Sequence, residues 1–363
     1  MALDHIPPSA DAATPLRVGV VGLVHTHVHG LLGREDHGDI EIVGIVEPNR
    51  DLASRYCAQY DIPLERVYNS MEELMALARP EAVVGFNTTY DHLALVEYFA
   101  PRGVHLMVEK PLAVDLSQAK KMVALAEESG VHLLTNYETS WYSSNAQAYR
   151  LLQDSSQLGS LTRLLFYTGH QGPIEIGCNS EFLDWLTDPV LNGGGALPDF
   201  ACYGANLTTW LLQGAEPLDI TCISRQTKPD KYPKVEDDAT IILNYPNNIQ
   251  VIIQASWNWS HNRKEMELYT TDGYVYCRDG HKVEQLRAGR EEAEILEASP
   301  LPTHLNDPFA YLYAVVRQGH AVQAWDVSAP QNNLRVMQIL DAAKWAASEG
   351  RTVKWSAFMA QQQ

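Results

Sequence analysis

The stretch Leu16-Arg17-Val18-Gly19-Val20-Val21-Gly22-Leu23-Val24-His25-Thr26-His27 decides the fold. A short apolar run enters a glycine turn, which predicts a strand over Leu16–Gly22 feeding a helix. Working outward, Ile40 to Val46, Glu81 to Phe86, Val104 to Val108 and Val131 to Leu134 repeat the apolar run. Helical patterns separate them at Asp51–Tyr60, Met71–Ala78, Asp91–Pro101 and Asp115–Ser129. In the last of these Asp115 is placed to cap, and Gly130 to stop the helix. Strands alternating with helices predict βαβ units and a doubly wound parallel sheet over residues 16–136.

The pattern changes after residue 136. A helix at Asn145–Gln153 and a strand at Leu161–Tyr167 precede a polar loop, Gln171–Asn192, and a helix at Asp199–Leu212. Closely spaced strands follow at Leu218–Ser224, Ala239–Asn244, Ile249–Trp257, Glu267–Thr271, Tyr274–Arg278, Val283–Leu286 and Glu292–Leu296. Their short turns predict a large, open, mostly antiparallel sheet in an α+β domain over residues 137–363. Helices near Pro308–Gln318 and Gln331–Ser348 end the pattern. Residues 1–15 read as a loose arm, and the three terminal glutamines as frayed.

Composition narrows the function. Lys+Arg 27 against Asp+Glu 45 leaves a net charge of −18. That balance argues against a nucleic-acid backbone or an anionic membrane as a partner, so neither is expected. No apolar run is long enough to span a bilayer. Five scattered cysteines without metal spacing predict free thiols and a cytoplasmic location.

Three pieces can carry chemistry. At the first turn, Gly22 stands at the first glycine of a dinucleotide fingerprint, but Val24 and His27 stand at the second and third. Glu47 ends the second strand, where a carboxylate takes both ribose hydroxyls; a solvated loop acid is the other reading. Next, Val108-Glu109-Lys110-Pro111 ends a strand, so Glu109 and Lys110 point to opposite faces and one meets the ligand edge. A lysine there can stabilise an alkoxide. Last, Asn192-Gly193-Gly194-Gly195 leads into a helix with Asp199 and Tyr203 at i and i+4, on one face. His25 and His29 also sit at i and i+4. No third ligand is evident near them, and no metal is expected.

In this order the pieces resemble the glucose–fructose oxidoreductase / inositol dehydrogenase / rhizopine-catabolism (Gfo/Idh/MocA) family, from about Leu16 to Trp355. Thr88-Thr89-Tyr90-Asp91-His92 and Leu158-Gly159 are further landmarks of the likeness. It implies an N-terminal Rossmann domain, a nicotinamide cofactor and a sugar, polyol or glycoside substrate. The family lysine falls on Lys110 and the family aspartate on Asp199; Tyr203 stands where the family more often has histidine. Catalysis is thus expected of Lys110, Asp199 and Tyr203. Cofactor contacts are expected of Gly22, Val24, His25, Glu47, Thr88, His92, Glu109 and Lys110. Substrate contacts are expected of His170, Gln171, Trp185, Asp199 and Tyr203, with Trp141, Tyr142, Trp257 and Trp259 as further stacking surfaces.

The expected activity is hydride transfer between NAD(H), preferred over NADP(H) because of Glu47, and a carbohydrate-type hydroxyl or ketone. Redox-neutral glycoside cleavage through transient oxidation is an alternative, as is a non-catalytic cofactor or sugar sensor. Two further expectations concern charge and assembly. Tyr203 is expected to be a protonated phenol near neutral pH, with Lys110, if close, favouring its phenolate and Asp199 opposing it; because alcohol oxidation needs the deprotonated form, an alkaline limb is expected in the oxidative rate. Ile241, Leu243, Val251, Ile253, Leu268 and Tyr274 look too many for one helix layer, which predicts a homo-oligomer built on that sheet face.

Overall fold

The computed structural model describes residues 14–153 and 158–362. Almost all of the expected arm therefore lies outside the described residues. Among the described residues the strands form two sheets. The first is parallel and contains β1 (Leu16–Val21), β2 (Ile40–Val46), β3 (Val67–Tyr68), β4 (Ala82–Gly85), β5 (His105–Glu109) and β6 (Leu133–Asn136), in the order β3-β2-β1-β4-β5-β6. Helices α1 (Val28–Leu32), α2 (Arg50–Tyr60), α3 (Met71–Leu77), α4 (His92–Phe99) and α5 (Leu116–Ser129) make its crossovers. Val18, Val20, Val83, Val84, Leu106, Met107 and Val108 are buried on both faces, as a strand between two helix layers requires. Asp115 caps α5 by accepting from the Gln118 amide at 2.8 Å, and Gly130 closes it at φ +64°.

The strand order reverses between β1 and β4, so their carboxyl ends open a crevice. Gly22 turns the chain there at φ +82°. A Cβ on it would meet the backbone of Asn87 at 2.8 Å, so the position admits only glycine.

The second sheet has the order β14-β13-β12-β11-β7-β10-β9-β8-β15. Its strands are β7 (Leu161–Gly169), β8 (Asp219–Arg225), β9 (Asp238–Asn244), β10 (Gln250–Ser256) and β11 (Arg263–Thr270). They continue with β12 (Tyr274–Cys277), β13 (Lys282–Leu286), β14 (Glu294–Glu297) and β15 (Val353–Lys354). Only the β7–β10 pair is parallel. The remaining helices are α6 (Ser143–Gln153), α7 (Ser180–Leu186), α8 (Cys202–Leu211), α9 (Pro308–Arg317), α10 (Pro330–Glu349) and α11 (Trp355–Gln361).

Four expectations change here. The stretch expected to be the loop Gln171–Asn192 contains helix α7. The helix expected to end the pattern at Ser348 is followed by a further one, Trp355–Gln361, because Trp355 and Phe358 anchor it in the core. Helix α9, expected in the second domain, packs on β1 and β2 of the first sheet. Finally, Ile241, Leu243, Val251, Ile253 and Leu268 are each 0% exposed, because α8 and α10 lie across that face and bury it within the chain. They are core residues, and the argument for an oligomer cannot rest on them.

Candidate functional site

The two sheets meet at the carboxyl ends of β1, β4 and β5. Lys110 follows β5 directly, and Asp199 comes from a single π-turn at Leu197–Ala201 that opens α8. The three glycines before it permit that entry. Gly193 sits at φ +76°, with its Cβ direction filled by the Val114 backbone. The Lys110 ammonium donates to Asp199 Oδ1 and to the Asp199 carbonyl oxygen, the latter at 3.1 Å. Both side chains are buried. Burial alone would neutralise each. The pairing prevails: Asp199 holds Lys110 above the usual lysine range, and Lys110 holds Asp199 below the usual carboxylate range. Trp257 fixes the second carboxylate oxygen, its indole Nε1 donating to Asp199 Oδ2 at 3.0 Å.

This pair stands in a cavity of about 390 Å³ that is also lined by His25, His27, His170, Gln171, Tyr203 and Lys264. Tyr203 is 1% exposed, and the Lys110 nitrogen lies 5.4 Å from its ring centroid. Burial, with the carboxylates of Glu138, Asp199 and Glu109 adding to it, pushes its phenol well above 10. The phenol is protonated, as expected near neutral pH, but burial and these carboxylates resist the deprotonation that the expected alkaline limb needs, and Lys110 is engaged by Asp199. His170 accepts the Gly172 amide at Nδ1 (2.9 Å), and burial brings its pKa down to about 4. It is a neutral imidazole whose proton lies on Nε2. Gln171 donates to the Ser260 carbonyl at 3.1 Å. Lys264, which the sequence pattern did not single out, pairs with Glu138 and lies 5.5 Å from the Tyr203 ring.

Trp185 stands apart from these. It is 3% exposed, its ring is 5.5 Å from that of His25, and its Nε1 donates to the Val24 carbonyl at 3.4 Å. It packs α7 onto the first turn. Of the other aromatics, Trp141 donates to Asn136 Oδ1 at 3.0 Å and lines a second cavity of about 600 Å³, which meets the first at Thr26 and His27.

At the crevice, Glu47 is buried. Its two oxygens accept the amides of Leu23 (3.0 Å) and Asn49 (2.9 Å), which ties the first turn to the end of β2. Burial raises its pKa against those bonds. Thr88 caps the next turn and donates to Asp91 at 2.6 Å. Glu109 is buried, accepting from Asn136 at 2.8 Å and from His27 Nδ1 at 2.9 Å. Glu109 and Lys110 do diverge, as alternation requires.

The histidine run is rearranged relative to expectation. Helix α1 begins only at Val28, so His25 and His29 share no face. His25 turns to Phe182 and Trp185, whereas His29 stacks on Tyr56 and bonds Tyr60. A third potential ligand does exist, 82 residues along the chain: His25, His27 and Glu109 place one ligand atom each within 4.8 Å of one another. However, the His27 amide donates to His25 Nδ1 at 3.2 Å, which leaves the proton of neutral His25 on Nε2. Neither nitrogen then offers a free lone pair to a cation.

Residues 16–137 match the model of an oxidoreductase family with an NAD-binding Rossmann fold, and residues 146–276 match the GFO/IDH/MocA C-terminal domain. The chain belongs to the Gfo/Idh/MocA family. Among relatives of this family, trans-1,2-dihydrobenzene-1,2-diol dehydrogenase from Bos taurus is 26% identical over 238 residues. That match covers 64% of this chain and 66% of the relative, just under two thirds of its length. The structure of aldose-aldose oxidoreductase from Caulobacter crescentus complexed with glycerol superposes with a TM-score of 0.78 at 21% identity, covering 94% of this chain and 99% of that one. GenD2 from gentamicin A biosynthesis, in complex with NAD, gives 0.76 at 21% identity, covering 97% and 99%. At these identities the two structures show a shared fold. The Gfo/Idh/MocA assignment accounts for a Rossmann sheet joined to a large mixed sheet.

Proposed function

We propose that the protein is an NAD(H)-dependent oxidoreductase that moves hydride to or from a hydroxyl or ketone of a carbohydrate-type substrate. The observation that carries this reading is the buried Lys110–Asp199 pair. It lies at the edge of the Rossmann sheet, in a cavity of about 390 Å³ that His170, Gln171, Tyr203 and Lys264 also line. The names of similar proteins, a diol dehydrogenase and an aldose-aldose oxidoreductase, favour the same substrate class.

The crevice residues fit a nicotinamide dinucleotide. Gly22 permits the tight turn. Glu47 keeps unused lone pairs at the end of β2, where a carboxylate meets ribose hydroxyls and repels a 2′-phosphate. Arg50 donates to the Val67 carbonyl at 3.4 Å, so it is turned to the backbone. A buried acceptor, Asn87 Oδ1, has no partner among the described residues. When bound, the cofactor supplies the hydride acceptor or donor. Gly22, Glu47 and Thr88 would hold it, and Lys110 would face its reactive end.

The chain's own groups handle the proton. In the reducing direction Lys110 gives a proton to the substrate oxygen and stabilises the charge that builds there; in the oxidising direction the neutral Lys110 amine takes the hydroxyl proton back. Asp199 favours the protonated Lys110 and fixes its direction. Trp257 and the π-turn keep Asp199 from rotating. Tyr203 stays a phenol and serves as a second donor. His170, neutral with a proton on Nε2, donates from the far wall and orients the substrate.

The test is a panel of aldoses, polyols and their ketones with NAD+ or NADH, read at 340 nm. Absence of turnover with every substrate, together with absence of NADH binding, rejects the reading. A homo-oligomer remains our proposal on other grounds: the sheet face opposite α8 and α10 leaves Ile223 62% and Ile295 58% exposed. Light scattering at micromolar concentration tests it, and a monomer overturns it.

A further inference from the structure

A lysine stands on the buried face of the second sheet. Lys264, Met266 and Leu268 alternate along β11, so their side chains share one face of the strand. Met266 is 1% and Leu268 0% exposed, both in the core. Lys264 ends that row at the wall of the 390 Å³ cavity, with its side chain 12% exposed. Taking an ammonium out of water costs free energy that an apolar side chain at this position would not. A cation on a core face therefore needs partners.

Glu138 is the first of them. It accepts from Lys264 through Oε2 and from the Tyr142 hydroxyl through Oε1, the latter at 2.5 Å. Its side chain is 41% exposed and borders the 600 Å³ cavity, whereas Lys264 borders the smaller one. Among the described residues Glu138 is the one group that bonds the Lys264 nitrogen. An ammonium has three N–H donors, so two remain for whatever fills the cavity.

The rest of the wall also gives hydrogen bonds more than it takes them. Lys110 spends two of its three N–H groups on Asp199 and keeps one. His170 presents its Nε2 proton, because Nδ1 is occupied by the Gly172 amide. Asp199 is the one carboxylate in this lining, and its oxygens are taken by Lys110 and Trp257. The Lys264 and Lys110 nitrogens lie 5.5 and 5.4 Å from the Tyr203 ring centroid, so both cations border one space. In a chain of net charge −18, this cavity has two lysines and no carboxylate left over. A hydroxyl both gives and takes hydrogen bonds; a carboxylate only takes them, at two oxygens. The donor-rich wall is the complement of the carboxylate.

We infer that Lys264 binds a carboxylate of the substrate, which makes the substrate a sugar acid and not a neutral sugar. The assignment deepens the oxidoreductase reading and rests on it for the reaction, but not for the binding. Lys264 selects the molecule, and Lys110 meets the oxygen that reacts.

The experiment is titration calorimetry on the full chain, with and without NADH, using D-gluconate and D-glucitol as probes. The two differ only in a carboxylate against a hydroxymethyl group, and NADH reduces neither. The wild type should bind gluconate about 10–100-fold more tightly, the worth of a hydrogen bond to a charged group. Lys264→Met should weaken gluconate to the level of glucitol and leave glucitol and NADH unchanged. Glu138→Gln removes the competing carboxylate and should tighten gluconate alone; it replaces the Met variant should that one not fold.

Equal affinities for the two probes in the wild type, a preference that survives Lys264→Met, or a loss shared equally by both probes overturns the inference. So does binding of neither probe, and so does tighter binding of D-glucitol 6-phosphate than of gluconate. None of these results touches the oxidoreductase reading while NADH still binds. A protein that prefers gluconate through Lys264 but does not bind NADH overturns that reading and leaves the inference standing.

Discussion

Lys110→Met tests the centre of the site through stability as well as rate. The substitution keeps an unbranched apolar stem and removes the ammonium from Asp199. What remains is a buried carboxylate with Trp257 Nε1 at 3.0 Å as its one side-chain donor. Breaking a buried pair in this way costs about 3–5 kcal/mol, because the surviving charge is left uncompensated.

The cost depends on pH with a definite sign. In the wild type the folded Asp199 pKa is depressed. Its contribution is therefore present above the unfolded value of about 3.9 and lost as pH falls through the folded one. Lys110 has a raised folded pKa, so its contribution is complete anywhere below about 10.4. In Lys110→Met burial, the largest influence on Asp199, is opposed by the Trp257 bond but no longer by the ammonium, and it raises the pKa above the unfolded value. The variant then loses stability as pH rises out of the acid range. The gap between wild type and variant should accordingly be present already near pH 4.5, where the wild-type pair is still ionised, and widen to about 3–5 kcal/mol at pH 7.5 as the buried carboxyl of the variant is forced to ionise. Urea denaturation at the two pH values measures it. Adding Asp199→Asn should recover a large part of the loss at pH 7.5 and little at pH 4.5. Turnover in either variant should fall about 10²–10³-fold. An equal gap at both pH values, or one below about 1 kcal/mol at pH 7.5, refutes the account of a charged, mutually supporting pair.

Tyr203→Phe should lower kcat while leaving the shape of the oxidative pH–rate profile between pH 6 and 9 unchanged, since burial keeps the phenol protonated throughout; a limb lost in the variant contradicts this. Gly22→Ala should destabilise the fold by about 1–3 kcal/mol, from a strained positive φ, with a further cost from the Asn87 backbone; thermal melting reads it. Trp257→Phe should lower kcat more than it raises KM, because Asp199 is freed to rotate, and equal changes in both would make Trp257 a binding wall. Glu47→Ser should bring the Kd for NADPH toward that for NADH, and unchanged affinities for both would take Glu47 out of the ribose site.

The local readings of this chain rest on short-range physics. Alternating strand and helix patterns from Leu16 to Asn136 predict a parallel sheet because each βαβ unit is a local decision, and the sheet is there. Asp115 and Gly130 are legible as cap and stop because their bonds reach only three or four residues. The strand end at Lys110 and the glycine-led entry to Asp199 are legible for the same reason.

Tertiary structure decided what depends on distance along the chain. The contact between Lys110 and Asp199 spans 89 residues, and its effect on Tyr203 follows from how that charge is already used. Helix α7 was hidden because Phe182, Trp185 and Leu186 gain helical order only by packing on the first turn and the core. The stripe at Ile241, Leu243, Val251, Ile253 and Leu268 reads as surplus apolar area from sequence. Only the placement of α8 and α10 shows that it is core, since periodicity marks a face to be buried but not what buries it. The tautomers of His25 and His92 were likewise beyond the sequence, because a proton's position on a ring is set by the single backbone group that reaches the other nitrogen.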